Sequence, residues 1–280
     1  MSGHLICLTF DFDAMSGFVA RGLTSPTPIS RGEFGNVGAV RILDLLDKHK
    51  VSASFFVPGT IINTYTDTCH RIAAEGHELG HHGWTHRPPT DLSRDAEILE
   101  LVRGNDAINS ITGKPARGYR SPSWDLSPHT IELLLEHGFD YDSSMMGHDY
   151  LPYYARTGDI VSNEEPVKFG ETTSLVELPV SWSLDDHPHF EFYKTGETLM
   201  PGLRNASAVL ENWLDDFYYF KDHFDWGVFT VTCHPYMIGR GHRMQMLERL
   251  IVELKSHDTS FVTTSEAVDI FKLRNSGQSL

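Results

Sequence analysis

Segments of strand character alternate along this chain with segments of helical periodicity, and that alternation restricts the fold more than any other feature of the sequence. The first strand is the clearest, with Ile6, Leu8, Phe10 and Phe12 on one face and Cys7, Thr9, Asp11 and Asp13 on the other. Strand-like stretches follow at 51–57, 77–82, 116–121, 139–143, 175–180, 226–234 and 260–263. Helices are expected after Asn36, a cap for the series Val37, Val40, Leu43 and Leu46, and then near 68–74, 93–111, 205–223 and 244–257. Another is opened by Ser127-Pro128 and closed by Gly138. Helical crossovers let successive strands run parallel, so the predicted fold is α/β, a distorted (β/α) barrel of about seven to eight parallel strands. A doubly wound open sheet is the structural alternative. The 280 residues suit one domain over 1–280.

Two stretches interrupt the rhythm. Residues 14–35, rich in Gly, Pro and Ser, directly follow the paired aspartates and are expected to form a loop that walls or covers a site. Residues 145–173, with several aromatics and acids, form a second expected long loop, and the two loops together allow a homo-oligomer with shared site walls.

The formal charge of −15, from 38 acidic and 23 basic residues, argues against nucleic acid and anionic membrane surfaces as partners. The first residues show no basic start, long apolar run and small-residue cleavage site, and no window nears about 18 uninterrupted apolar residues. The expectation is a soluble, cytoplasmic protein. Cys7, Cys69 and Cys233 are odd in number and widely spaced, which suits small core residues better than a disulfide framework.

In a parallel barrel, reactive groups gather where strands end at their C-termini. Asp11 and Asp13 end the first strand, His82 the third, Arg120 the fourth and His234 the penultimate. An Asp-x-Asp alone opens many solvated turns. His82 and His86 are four apart, a spacing that places both on one face of a helical turn, and imidazole is a common zinc ligand. With one aspartate from another strand end they supply three ligands and leave a position for water, the pattern of a catalytic zinc site. Two histidines and a carboxylate also suit non-haem iron in an oxygenase. The β/α alternation and the spare carboxylate favour hydrolysis. In Thr232-Cys233-His234, alternation points His234 away from Cys233, so a cysteine–histidine nucleophile pair is geometrically poor, and His234 is better placed to deliver a proton.

Taken in order, Thr9-Phe10-Asp11-Phe12-Asp13, His82-x-x-x-His86, Arg120-Ser121-Pro122 and Thr232-Cys233-His234 resemble the motifs of the polysaccharide deacetylase family, carbohydrate esterase family 4 with the NodB homology domain. The resemblance spans Leu5 to Pro235. It implies a divalent metal, often zinc, and removal of acetyl groups from N-acetylated sugars. Matched by position, Asp11 corresponds to the catalytic base, Asp13, His82 and His86 to the metal ligands, Arg120 to the arginine that orients the base and His234 to the general acid. A backbone amide near Ser123 would stabilise the oxyanion, and Trp84, Trp124 and Trp182 are expected to form an apolar rim for substrate. The chain departs from the family pattern in splitting the usual Asp-Asp pair with Phe12, and in carrying Ser123-Trp124 after the Arg-Ser-Pro motif. Residues 178–186, with Asp185 and Asp186, match the family's Asp/Trp motif loosely. These departures resemble the intracellular branch of peptidoglycan-deacetylase-like and cyclic-ureide hydrolases, so a small cyclic amide is the alternative substrate.

Overall fold

The computed structural model describes residues 3–195 and 198–276, so the domain expected over 1–280 runs past it at both ends. Among the described residues eleven strands form: β1 (His4–Asp11), β2 (Ser54–Val57), β3 (Glu78–His81), β4 (Gly118–Tyr119), β5 (Tyr141–Asp142), β6 (Tyr153–Thr157), β7 (Glu171–Glu177), β8 (Tyr193–Thr195), β9 (Thr198–Met200), β10 (Gly227–Cys233) and β11 (Thr259–Phe261). Nine build one curled sheet in the order β10-β1-β2-β3-β4-β5-β7-β6, with β11 also on β1. Eight of the nine run parallel, as the alternation predicts, and β6 is antiparallel to β7. The result is a half-barrel. Its two ends meet through isolated contacts, with the Val228 N–H donating to the Tyr150 carbonyl at 2.8 Å and Asp185 bridging to Thr232 on β10.

β1 is central because both of its faces are apolar enough to bury. Ile6, Leu8, Phe10 and Phe12 join the large cluster beneath the surrounding helices, while Leu5 and Cys7 face the barrel interior with Leu178, Val228 and Ala267. Helix Thr264–Asn275 plugs the lower end, its Val268 and Phe271 meeting Phe56, Tyr141 and Val176. Thr263 and Glu266 form a capping box that fixes where this helix begins. With this helix at the floor, the reactive groups at the strand C-termini line the opposite, open mouth. The three cysteines are free and buried, as expected of core residues.

Most helix limits fall where caps predict. Asn205 accepts the Ser207 and Ala208 N–H groups, and Gly138 leaves the helix ending at Glu136 with φ +76°. Residues 14–35 differ from the expected loop. They contain helix Ser16–Ala20 and the first ten residues of helix Pro26–His49, which begins well before Asn36. Gly32 and Gly35, which suggested a loop, instead form a contact face together with Gly38. A β-carbon at Gly32 would lie 2.4 Å from Met15 Cα, one at Gly35 3.0 Å from Ala14 Cα, and one at Gly38 2.0 Å from the Pro235 carbonyl oxygen. The helix is thereby pressed onto the chain segments that follow Asp13 and His234. Residues 145–173 are not one loop either, since β6 and the Ile160–Lys168 bridge occupy much of them at the sheet edge. Among the described residues, no helix is long and apolar enough to cross a membrane.

Candidate active site

Asp11 ends β1 and Asp13 follows two residues later, so alternation aims both carboxylates into the mouth of the half-barrel. His82 comes directly after β3. The expected helical turn between His82 and His86 is absent: the chain there is a loop, with His86 at φ +63°. Glu100 supplies the missing support. Its Oε2 accepts the N–H groups of Trp84 and Thr85, each at 2.7 Å, and its Oε1 accepts the Thr85 hydroxyl at 2.7 Å. These bonds fold the loop so that the two imidazoles still meet, their ring centroids 5.0 Å apart.

His82 Nε2 lies 3.3 Å from Asp13 Oδ1, and His86 Nε2 lies 3.2 Å from Asp13 Oδ2. One ligand atom from each of the three residues falls within 4.8 Å of the others. His82 Nδ1 donates to the Arg120 carbonyl at 2.7 Å, which leaves Nε2 as the lone-pair atom facing Asp13. Asp13 Oδ1 is buried without a hydrogen-bond partner. An orphaned carboxylate oxygen facing two imidazole nitrogens fits a divalent cation, and three protein ligands leave room for water. Burial alone would raise the Asp13 pKa, but the charge of His86 and the contacts with both histidines hold it well below the usual carboxylate value.

Asp11 is held from the barrel interior. Arg120, fully buried, donates from Nη1 to Asp11 Oδ1 and to Thr9 Oγ1, both at 2.8 Å. Its Nε and Nη2 are fixed by the Ser143 carbonyl and hydroxyl at 2.9 Å, and Phe56 lies 4.2 Å beneath the guanidinium. The pair is thus an oriented ion pair with little freedom to swing. On the opposite side, His234 Nδ1 donates to Asp186 Oδ1 at 2.8 Å, with Asp185 Oδ1 at 3.4 Å. That bond turns Nε2 towards Asp13 Oδ2, 3.7 Å away. Burial opposes charge on this ring, yet the facing carboxylates of Asp185 and Asp186 outweigh it and hold the His234 pKa well above its ordinary value. Asp185, Asp186 and His234 also cluster closely enough for a cation, but the Nδ1–Asp186 hydrogen bond already uses the atom a metal would need.

Above these groups lies a cavity of about 320 Å³. Its floor includes Asp11, Asp13, His82, His86 and His234, and Ser123 and Trp124 form part of the wall. Trp124 stacks on Trp182 at 4.4 Å, with Trp182 43% exposed at the rim. Trp84 does not join them. It packs against Gly59 and under Arg103, 4.2 Å from its ring, because the Glu100 bonds turn the loop outward at this residue. Of the six described non-glycine residues at positive φ, four line this cavity: Ala14, His86, Ser123 and Trp124. Each such backbone costs on the order of 1–3 kcal/mol, so their concentration here marks a site whose geometry outranks local stability.

The sequence reading missed Glu100, His187, Tyr236 and Arg21. Glu100 supports the histidine loop, and the other three line the cavity. None lies in a motif. Only the folding of distant segments brings them to the mouth.

Fold and site together define a NodB-type α/β half-barrel with its reactive groups gathered at the strand C-terminal ends. A profile described as polysaccharide deacetylase matches residues 2–141. The chain is 36% identical to a peptidoglycan deacetylase of Helicobacter pylori over 285 residues, covering 97% of each protein. A crystal structure from Mycobacterium smegmatis described as a polysaccharide deacetylase superposes with a TM-score of 0.85 at 30% identity, over 99% of this chain and 92% of that one. The chain belongs to the polysaccharide deacetylase family. An allantoinase, PuuE, shares the fold at a TM-score of 0.76 with 18% identity, over 96% of this chain and 90% of that one.

Proposed function

We propose that this protein is a metal-dependent hydrolase of non-peptide carbon–nitrogen bonds, which removes the acetyl group from an N-acetylated amino sugar of peptidoglycan type. The observation that carries this reading is the buried, unpartnered Asp13 Oδ1 facing the Nε2 atoms of His82 and His86, beside an Asp11 locked to Arg120. Asp13, His82 and His86 would hold the cation, Zn²⁺ by the nitrogen and oxygen character of the set. When bound, it supplies the Lewis acidity that makes water a nucleophile near neutral pH and polarises the amide carbonyl.

The chain's own groups do the rest. Asp11, aimed by Arg120, takes the proton from the attacking water. The backbone at Ser123, held at φ +61°, offers an amide to the developing oxyanion. His234, kept protonated by Asp185 and Asp186, gives its Nε2 proton to the departing nitrogen. The amine then leaves with acetate as the second product.

A second reading, opening of a cyclic amide or ureide, uses the same groups. The specific feature in its favour is the depth of the site, since the side chains of Asp13, His82 and His234 are each no more than 8% exposed. The two are separated by measuring acetate release from N-acetylglucosamine oligomers and peptidoglycan beside ring opening of allantoin and cyclic imides. Each is run with the Zn²⁺-loaded enzyme and after chelation. Acetate release abolished by chelator and restored by Zn²⁺ supports deacetylation. Ring opening without acetate release would overturn it, and turnover indifferent to chelator would remove the metal.

A further inference from the structure

One pair of buried acids has no part in the proposed reaction. Asp142 and Glu177 are register partners across β5 and β7, and both side chains are fully buried. One oxygen of each is engaged: Asp142 Oδ1 accepts the Ser144 hydroxyl at 2.7 Å, and Glu177 Oε1 accepts the N–H groups of Ser144 and Met145 at 2.9 and 2.8 Å. The other two, Asp142 Oδ2 and Glu177 Oε2, are buried and meet no donor, although the two side chains are in hydrogen-bonding contact with each other. Two ionised carboxylates are acceptors only and repel, so such a contact needs a proton. Arg120, whose charge reaches Asp142, gives its hydrogen bonds to Asp11, Thr9 and Ser143 instead. Burial pushes the pKa values of both acids up, and the charge of Asp142 raises Glu177 further.

From these acids a chain of bonds runs to the cavity wall. Ser144, held by Asp142, accepts the Ser121 N–H on its hydroxyl oxygen at 2.8 Å. Ser121 closes the turn that follows it, its carbonyl accepting the Trp124 N–H at 2.9 Å and its hydroxyl donating to the Asp125 carbonyl at 2.6 Å. Inside that turn Ser123 and Trp124 hold φ values of +61° and +54°, and both line the cavity. A strained turn keeps its shape only where its surroundings over-determine it, and Ser144 anchors the residue from which this one starts. The neighbouring Ser143 fixes Arg120, which aims Asp11. Residues 142–144 thus stand behind both the base and the oxyanion donor.

Resting on the hydrolase reading above, we infer that Glu177 and Asp142 share one proton, donated by Glu177 Oε2 to Asp142 Oδ2, and that this pair positions the Ser123 amide through Ser144 and Ser121. The proton gives each orphaned oxygen a partner and leaves Glu177 Oε1 to accept its two N–H groups. Both acids are positioning residues, acting on the rate through the shape of the turn.

Infrared difference spectra, hydrogen exchange and kinetics on the full chain supplied with Zn²⁺ test this. Near neutral pH the wild type should show the carbonyl band of a buried protonated carboxyl, and both Asp142→Asn and Glu177→Gln should lack it. Either amide supplies the donor and leaves the remaining acid ionised. Both amide variants should therefore keep slow exchange at residues 121–125, whereas Asp142→Ala should speed it. Ser144→Ala, folded by circular dichroism, breaks only the link. Exchange at 121–125 should then rise by roughly tenfold. For acetate release from N-acetylglucosamine oligomers, or ring opening of cyclic imides, kcat should fall by roughly 10- to 100-fold with KM and metal content unchanged. A serine with a merely structural role would lower stability without that split. No carboxyl band in the wild type, a band that survives in both amide variants, or unchanged exchange and kcat in Ser144→Ala would overturn the inference. If the band and exchange patterns hold but the wild type turns over neither probe, the proton-sharing pair stands and the hydrolase reading is what fails.

Discussion

In the proposed reaction, His234 sets the alkaline side of the expected activity profile. Its imidazolium is favoured by Asp185 and Asp186, so the proton it would donate is held more tightly than on an ordinary imidazole. Because the folded pKa of His234 lies above the unfolded one, the stability this ring contributes is present below about pH 6.5 and is lost as pH rises through the folded value. Replacing Asp186 with Asn removes one carboxylate charge while leaving an oxygen to accept from Nδ1. The alkaline limb of kcat/KM then moves to lower pH, and an unmoved limb would contradict the role given to His234. His81 behaves in the opposite sense. It is fully buried, its Nε2 meets the Leu101 carbonyl at 3.0 Å and its Nδ1 accepts the Gly83 N–H at 3.1 Å, a pattern open only to the neutral ring. Burial pushes its pKa down to about 4. The unfolded chain therefore binds the extra proton first, and stability present above about pH 6.5 falls as pH drops towards 4, by on the order of 3 kcal/mol. Urea midpoints from pH 7 to 4.5 should fall less steeply in His81→Gln than in the wild type, and equal slopes would refute this assignment.

Among the elements, helix Pro26–His49 shows best how local and tertiary demands part company. Glycine in a helix interior costs about 1 kcal/mol relative to alanine, and the Gly-rich stretch with Gly32 and Gly35 reads as loop, although the helix carries a third such glycine at 38. Their contacts explain the exception, since only hydrogen side chains let the helix touch the chain after Asp13 and the turn after His234. Gly38→Ala would set a methyl 2.0 Å from the Pro235 carbonyl oxygen. It should destabilise the protein by about 1–3 kcal/mol and lower kcat by displacing His234. Thermal denaturation with kinetics reads both effects, and unchanged stability and kcat would mean the helix does not position that turn. β1 was legible for the converse reason, because its period of two sets Asp11 and Asp13 on one side without help from distant segments. The His82–His86 loop was half legible. Spacing brought the rings together, but a carboxylate from Glu100, far along the chain, rather than helical bonding, shapes the turn.

Across the whole molecule, the parallel order and the gathering of reactive groups at one end could be read from the sequence, because β/α alternation leaves a chain few topologies. What could not be read is what the curl of the sheet brings together. Arg21, His187 and Tyr236 come from three separate segments and meet only over the cavity, and Trp84, adjacent to the histidine motif, turns away from it. Antiparallel β6 and the antiparallel β8–β9 pair follow no crossover rule and lay outside the expected rhythm. The proposed reaction divides labour in one mouth, with Asp13, His82 and His86 to hold the cation and Asp11 to serve as base. Metal stoichiometry, measured alongside acetate release on Zn²⁺-loaded wild type, Asp11→Asn and His86→Ala, tests it most directly. Asp11→Asn should keep its metal with turnover reduced by roughly 10²–10⁴-fold, whereas His86→Ala should lose the metal together with activity. Equal loss of metal from both variants would contradict the account.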